Sequence, residues 1–207
     1  MDRRKALKSM GMAMGYTVAT PTLISIMQSC KGEAVLEWIP DFFSADQGSA
    51  LTKLVDIILP KTDTPSASET QVHLFIDKFA NEVMDDEQQG FLKMATGKFM
   101  DMALASSGKE KAADLESNDL ESVLASVLKI SKEQQTQNEE AIGDYMKALK
   151  EGGGAKISDD VAAYAFASNL RGMTIWGYKT SEYVGEEVLA YLPVPGEYIG
   201  CGDVQEL

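Results

Sequence analysis

The amino-acid sequence predicts an all-α protein: a single compact domain of about six helices, followed by an irregular C-terminal tail rich in Gly, Pro and Tyr. Apolar residues recur every three or four positions through most of residues 44–176, which is the spacing of a buried helix face. No useful length of chain alternates apolar and polar residues with the period of two that marks a β-strand. We therefore expect three regions, residues 1–29, 30–43 and 44–207, of which the last is the helical domain.

Residues 1–29 have the charge pattern of an export signal. Three cations, Arg3, Arg4 and Lys5, open the stretch, and no charged residue occurs in residues 10–27. A basic start, an uncharged middle and a small residue before a processing point are typical of a secretory signal peptide. The basic run resembles the twin-arginine signal, so we expect Arg3 and Arg4 to direct export to the periplasm or cell envelope. The alternative is an uncleaved anchor helix, although residues 10–27 are barely long enough to cross about 30 Å of hydrocarbon.

The residues before Cys30 resemble a lipoprotein processing site, at which this cysteine would become the lipid-bearing first residue. Residues 30–43 would then be a lipid-anchored tether, and simple cleavage without a lipid is the alternative. The second half of the tether, which includes Trp38 and Phe42, has too many apolar residues to be a free linker. We therefore expect it to dock on the domain. With Cys30 lipidated, Cys201 has no partner in its own chain, which favours an intermolecular disulfide, a free thiol or a buried inert thiol.

The chain is strongly acidic, with a formal net charge of −13. Removal of residues 1–29 takes away four cations and one anion, so the charge of the remaining chain becomes −16. Such a charge argues against nucleic acid as a partner and is otherwise explained by solubility. One His and two Cys cannot fill a usual zinc ligand set, so we expect no metal site.

The first three helices are each predicted by an apolar stripe. The first begins after Ser44, which has capping-box spacing to Gln47, and ends at the first proline of a loop over residues 60–67. The second begins near Ser68, and the third spans about residues 86–105. The core-facing residues predicted for them are, in order, Leu51, Leu54, Val55, Ile58 and Leu59; Val72, Phe75, Ile76, Phe79 and Val83; and Phe91, Met94, Phe99 and Met102.

Three further helices follow a polar connection over residues 106–118. The fourth covers about residues 120–128, the fifth spans residues 131–150 and stops at a glycine run, and the sixth begins at Ser158. Their predicted apolar residues are, in order, Leu120, Val123, Leu124, Val127 and Leu128; Ile142, Tyr145, Met146 and Leu149; and Tyr164, Phe166, Leu170, Met173 and Trp176. After Trp176 the density of Gly and Pro predicts irregular structure. Tyrosines on this tail fit a partner surface, or alternatively pack back on their own helices.

No catalytic constellation is visible in the sequence. It contains no dinucleotide fingerprint, phosphate loop or serine-elbow motif. We interpret His73 as a surface or satisfied histidine rather than a catalytic base, because no nucleophile or acid pattern accompanies it. Asp85 and its acidic neighbours are interpreted as a solvated helix face. Ser181 next to Glu182 is a weak acid–base candidate, and an enzyme with dispersed carboxylates is the least favoured reading.

Two segments resemble the signature of the gluconate 2-dehydrogenase subunit 3 family: the loop over residues 59–67, and residues 177–182 with the tail that follows, through Tyr191 and residues 195–201. Ser66 stands where the family usually has glycine. The resemblance implies a non-catalytic small subunit of a membrane-associated dehydrogenase. It further implies that FAD belongs to a large partner subunit of the glucose–methanol–choline type, that a cytochrome c subunit or a quinone takes the electrons, and that the small subunit carries the export signal.

We therefore expect a small subunit and export escort with no catalytic residue, cofactor or metal of its own. The partner would be the FAD-containing subunit, with a disulfide through Cys201 as one form of the contact. The residues expected at the interface are Tyr178, Ser181, Glu182, Tyr191, Tyr198 and Cys201. The alternative of a different class is a stand-alone envelope lipoprotein that acts as a binding module.

Overall fold

The computed structural model describes residues 38–154 and 156–189, and every regular element within these residues is helical. This confirms the predicted all-α class. The α-helices are α1 (Ala45–Ile58), α2 (Val72–Glu82), α3 (Asp86–Ser107), α4 (Ser117–Leu128), α5 (Lys132–Lys150) and α6 (Asp159–Lys179). A short 3-10 turn (Ala112–Asp114) precedes α4, and a π-helical turn (Val184–Val188) follows α6. The predictions for Arg3, Arg4, Cys30, Tyr191, Tyr198 and Cys201 lie outside the described residues.

Side-chain caps fix where several helices begin. Ser44 Oγ accepts the backbone N–H of Gln47 at 3.2 Å, and Gln47 Oε1 accepts the N–H of Ser44 at 3.1 Å, as the capping-box spacing predicts. Asp85 and Gln88 make the same reciprocal pair at the start of α3. The interpretation of Asp85 as part of a solvated face is therefore incomplete, because its carboxylate caps the start of α3. Ser158 caps α6 as predicted.

Helix α6 lies at the centre of the domain and packs against each of the other five α-helices. Its inner face alternates small and large residues: Ala163 and Ala167 are fully buried, and the Phe166 ring packs 5.0 Å from the Phe99 ring of α3. Small side chains let the neighbouring helices approach, while the aromatic rings fill the remaining space. More residues are buried on α6 than on any other helix of the described residues.

Three predicted details are wrong. Helix α2 begins at Val72 rather than near Ser68, because Gln71 adopts a left-handed conformation with φ of 62° and ends a preceding turn. Val83 is 64% exposed instead of buried, because it lies beyond the last residue of α2. Trp176 is 46% exposed, and α6 continues past it to Lys179.

The predicted stripe of α3 is rotated from the observed one. Of its four apolar residues only Phe99 is buried, since the inner face consists of Leu92, Ala95, Thr96, Phe99, Met100 and Ala103. The polar connection before α4 also contains a core residue, Leu115, which is fully buried. Its carbonyl oxygen accepts a hydrogen bond from Lys53 Nζ at 2.6 Å, which ties the connection to α1.

The second half of the predicted tether docks on α2, as expected. The Asp77 carboxylate, only 1% exposed, accepts the backbone N–H groups of Asp41 at 2.7 Å and of Phe42 and Phe43 at 3.1 Å each. Phe43 enters the core, and the Lys93 ammonium lies 4.9 Å from the centre of the Phe42 ring. We call this arrangement the Asp77 clasp. It compensates a buried charge with three amide donors and holds residues 41–43 against the helices.

Candidate partner-binding surface

A cleft of about 490 Å³ lies between the turn before α2 and the segment after α6. One wall comes from Pro65, Glu69, Thr70 and Gln71, and the other from Ser181, Glu182, Tyr183, Glu186 and Glu187. We call it the acidic cleft. Its walls belong to, or directly follow, the two sequence segments that resemble a family signature, so the fold brings those distant segments together.

Tyr178 connects the two walls. Its hydroxyl donates to the carbonyl oxygen of Pro65 at 2.9 Å, across a sequence separation of 113 residues. The tyrosine is half-buried and packs back on its own domain. The sequence left this open as the alternative to a partner surface for the tyrosines after Trp176. A role of Tyr178 as a direct partner contact stays a prediction, and its intramolecular role is to hold the cleft in shape.

Gly177 explains why the walls meet at this end of the domain. A Cβ atom at this position would lie 2.7 Å from Phe75 Cδ1, closer than real Cβ atoms come to another heavy atom, and a tight 3.3 Å from Val72 Cγ1. The glycine therefore permits α2 and α6 to approach each other closely just before the cleft. The sequence suggested a helix-breaking role, but the observed reason for a glycine here is helix packing.

The wall after α6 has an unusual backbone that is held by Ser181. The Ser181 hydroxyl donates to the Tyr178 carbonyl at 2.7 Å and accepts the N–H of Val184 at 3.4 Å. The N–H of Leu189 bonds to the Val184 carbonyl at 2.9 Å, which closes the π turn. Ser181 thus positions the wall through both hydrogen bonds of its hydroxyl. Both π turns and left-handed non-glycine residues such as Gln71 occur preferentially at functional sites.

The charges of the cleft are unevenly compensated. Glu69 accepts hydrogen bonds from Lys61 Nζ at 2.6 Å and from the Ser66 N–H at 2.9 Å, and these donors hold its pKa below the usual value. Glu182, Glu186 and Glu187 are exposed, and none of them has an ion-pair partner in residues 38–154 or 156–189. The cleft therefore presents negative charge that suits a cationic or hydrogen-bond-donating group of a partner.

Apolar side chains accompany this charge. Val188 is 53% exposed and Leu189 is 59% exposed, directly after the glutamates. Trp176 packs edge-on against Phe75 and Phe79 of α2, with ring centroids 5.1 and 5.5 Å apart, and leaves much of its own ring accessible. Exposed aromatic and aliphatic groups beside a polar rim are characteristic of protein interfaces.

Ser181 and Glu182, which the sequence predicts at a partner interface, both line the acidic cleft, and that interface role stays a prediction. Gln71 and Glu186 line the cleft as well and were not predicted. The adjacent pairs Glu186–Glu187 and Val188–Leu189 were the available signal, because acidic and apolar pairs in a segment rich in Gly and Pro do not belong in a helical core. Gln71 carries no comparable signal, since glutamine has no preference for the left-handed region.

Within residues 38–154 and 156–189, no group of three or more His, Cys, Asp or Glu side chains is placed to hold a metal ion. His73 is buried and packs edge-on against Trp38, with the ring centroids 5.3 Å apart. Of the helices in this part of the chain, none has both the length and the apolar character needed to cross a membrane.

Comparison with known proteins gives one match. The sequence model of a family described as gluconate 2-dehydrogenase subunit 3 matches residues 45–196, which is most of the 207-residue chain and includes both walls of the acidic cleft. No curated protein and no solved structure matches the chain significantly.

Proposed function

Because the chain belongs to the gluconate 2-dehydrogenase subunit 3 family, an accessory subunit of a dehydrogenase complex, we propose that it is the non-catalytic small subunit and export escort of an exported FAD-dependent enzyme. The partner is a flavoprotein of the glucose–methanol–choline type that oxidises a sugar or sugar acid. FAD and catalysis reside in that partner, and a cytochrome c subunit receives the electrons. The family match over residues 45–196 carries the proposal.

The acidic cleft is the contact surface in this proposal. Glu182, Glu186 and Glu187 receive Lys, Arg or amide donors of the partner, while the exposed Leu189, two residues after Glu187, fills an apolar depression of the partner. Three uncompensated carboxylates gain more from cationic partners than from water once the interface excludes solvent. Tyr191 and Tyr198 extend the contact, and Cys201 forms a disulfide with a cysteine of the partner.

The N-terminal region supplies export and anchoring. Arg3 and Arg4 engage the twin-arginine route, so the partner crosses the membrane already folded and loaded with cofactor. Cys30 then carries the lipid that keeps the complex at the membrane. The Asp77 clasp supports this arrangement, because it fixes the point at which a chain from Cys30 reaches the helical domain.

The test is purification of the tagged full-length chain from membranes of its native host under non-reducing conditions. The bound fraction is scanned for flavin absorbance, and its proteins are identified by mass. We expect a flavoprotein to co-purify, and its loss on reduction or in Cys201→Ser would assign the contact to the disulfide. A colourless single chain would contradict the proposal and favour the stand-alone lipoprotein.

The escort role has a separate test. In cells that carry Arg3→Lys and Arg4→Lys together, we expect both the chain and the flavoprotein to remain in the cytoplasm. The matched control is Lys5→Arg, which keeps the basic run and the arginine pair. Normal export of the flavoprotein in the double variant would exclude the escort role without affecting the subunit assignment.

A further inference from the structure

A second cavity, separate from the acidic cleft, lies between α3, α5 and α6 and has a volume of about 370 Å³. Its walls are mainly apolar and are formed by Met84, Phe91, Leu92, Ile142 and Met146, with Tyr164 of α6 among them. Gln88, Glu139 and Asn169 supply polar groups. An apolar cavity of this volume with a few polar groups has the size and composition of a small-molecule site rather than of a groove for a polypeptide segment.

Tyr164 is the informative side chain in this cavity. It is only 4% exposed, and its hydroxyl makes no hydrogen bond within residues 38–154 and 156–189. The unpaired hydroxyl is not fully buried, so water in the cavity reaches it. A hydroxyl that lines a cavity without a protein acceptor is therefore available to an acceptor that a ligand brings.

Helix α5 provides a means of entry. Asn138 is its single buried residue, although the helix is nearly as long as α6, whose inner face is buried along most of its length. Ile142 and Met146 are half-buried over the cavity, and Tyr145 packs 5.3 Å from the Phe91 ring at its edge. A helix with so few buried contacts opens at lower cost than the core helices do.

We propose that this cavity binds a small apolar molecule that carries a carbonyl oxygen, with that oxygen accepting a hydrogen bond from Tyr164. The apolar walls provide most of the binding free energy, and the hydroxyl selects molecules with an acceptor at the matching position. The site is distinct from the partner-binding surface. It neither depends on the proposed accessory role nor is explained by it.

The test compares two probes of nearly equal size, 1-tetralone and tetralin, which differ in the carbonyl group. Each is titrated into the full chain labelled with 13C in its methionine methyl groups. We expect the signals of Met84 and Met146 to shift while that of Met173, which does not line the cavity, stays in place. One neutral hydrogen bond corresponds to roughly three- to tenfold tighter binding of 1-tetralone than of tetralin.

Two variants make the result decisive. Tyr164→Phe keeps the ring, so we expect it to bind both probes with equal affinity, matching that of tetralin for the unmodified chain. Ala165→Leu fills the cavity from α6 and abolishes both titrations; thermal unfolding verifies that each variant is folded. An absence of methyl shifts, as for a cavity that holds only water, would overturn the proposal. Equal affinities of the two probes for the unmodified chain would overturn it as well.

Discussion

Carboxylates are used in opposite ways at two places in this domain. Asp77 is buried, and its oxygens are occupied by three backbone N–H groups of residues 41–43. Glu182, Glu186 and Glu187 are exposed, and in the described part of the chain no cation pairs with them. The first arrangement stabilises the fold, whereas the second leaves charge available to another molecule. The net charge of the chain therefore says little until each carboxylate is assigned to one of these uses.

The largest expected effect is on the Asp77 clasp. Asp77→Ala removes the acceptor for three N–H groups, so we expect the free energy of unfolding to fall by about 3 kcal/mol. Asp77→Asn keeps one acceptor oxygen and should cost less. Urea unfolding measures the change, with Asp101→Ala, an exposed residue of α3, as the control that stays within about 0.5 kcal/mol. Equal stability of Asp77→Ala and the unmodified chain would show that the clasp does not stabilise the fold.

A smaller effect is expected where α2 and α6 meet. Gly177→Ala places a methyl group against the Phe75 ring, so we expect a loss of about 1–2 kcal/mol from overpacking. Gly172→Ala on the same helix meets no atom within 4 Å and should gain about 0.5–1 kcal/mol from helix propensity. Thermal unfolding of both variants gives the comparison. The same sign of change at the two positions would refute the close approach at Gly177.

The smallest expected effect concerns an ion pair that serves neither the clasp nor the acidic cleft. Lys109 Nζ lies 2.7 Å from Asp119 Oδ2, and this hydrogen bond lowers the pKa of Asp119 and raises that of Lys109. A carboxyl whose pKa is lowered in the folded chain stabilises it above the unfolded value of about 4, and that contribution disappears as the pH falls through the folded value.

The Lys109→Met variant isolates that contribution. We expect it to be slightly less stable than the unmodified chain near neutral pH, and the difference to vanish progressively below about pH 4. Urea unfolding as a function of pH measures this, and Lys129→Met, a lysine outside any ion pair of the described residues, is the control. A stability difference that persists unchanged in acid would contradict the assignment to Asp119.

Local patterns predicted the features that depend on local physics. The capping box at Ser44, the stripe of α1 and the six helices follow from spacing alone. Asp77 shows why other features could not be predicted, because its partners lie about 35 residues away and nothing near it distinguishes it from an exposed carboxylate. The acidic cleft had the same limitation: the sequence indicated both segments, but it took the structure, through the shared cleft and the bond from Tyr178 to Pro65, to show that they form one surface.

The exposure of apolar residues was equally difficult to predict. Trp176 has the spacing of a core residue, but the close contact of Gly177 with α2 leaves its ring at the edge of the helix pair. Similarly, the stripe of α5 predicts a helix correctly without indicating how little of it is buried. Periodicity predicts which face of a helix points inward. How deeply that face is buried depends on the elements that pack against it.

The most direct test of the contrast between Asp77 and the exposed glutamates is a binding measurement. It compares the affinity of the chain for its co-purified partner before and after the glutamates of the acidic cleft are neutralised. Glu182→Gln, Glu186→Gln and Glu187→Gln are combined, and a matched variant neutralises three exposed glutamates elsewhere, Glu110, Glu121 and Glu140. We predict that the cleft variant keeps its stability but binds the partner about tenfold more weakly and with less dependence on salt, because interfacial charge pairs are lost. Equal affinity of the two variants would contradict the assignment of the acidic cleft as the partner-binding surface.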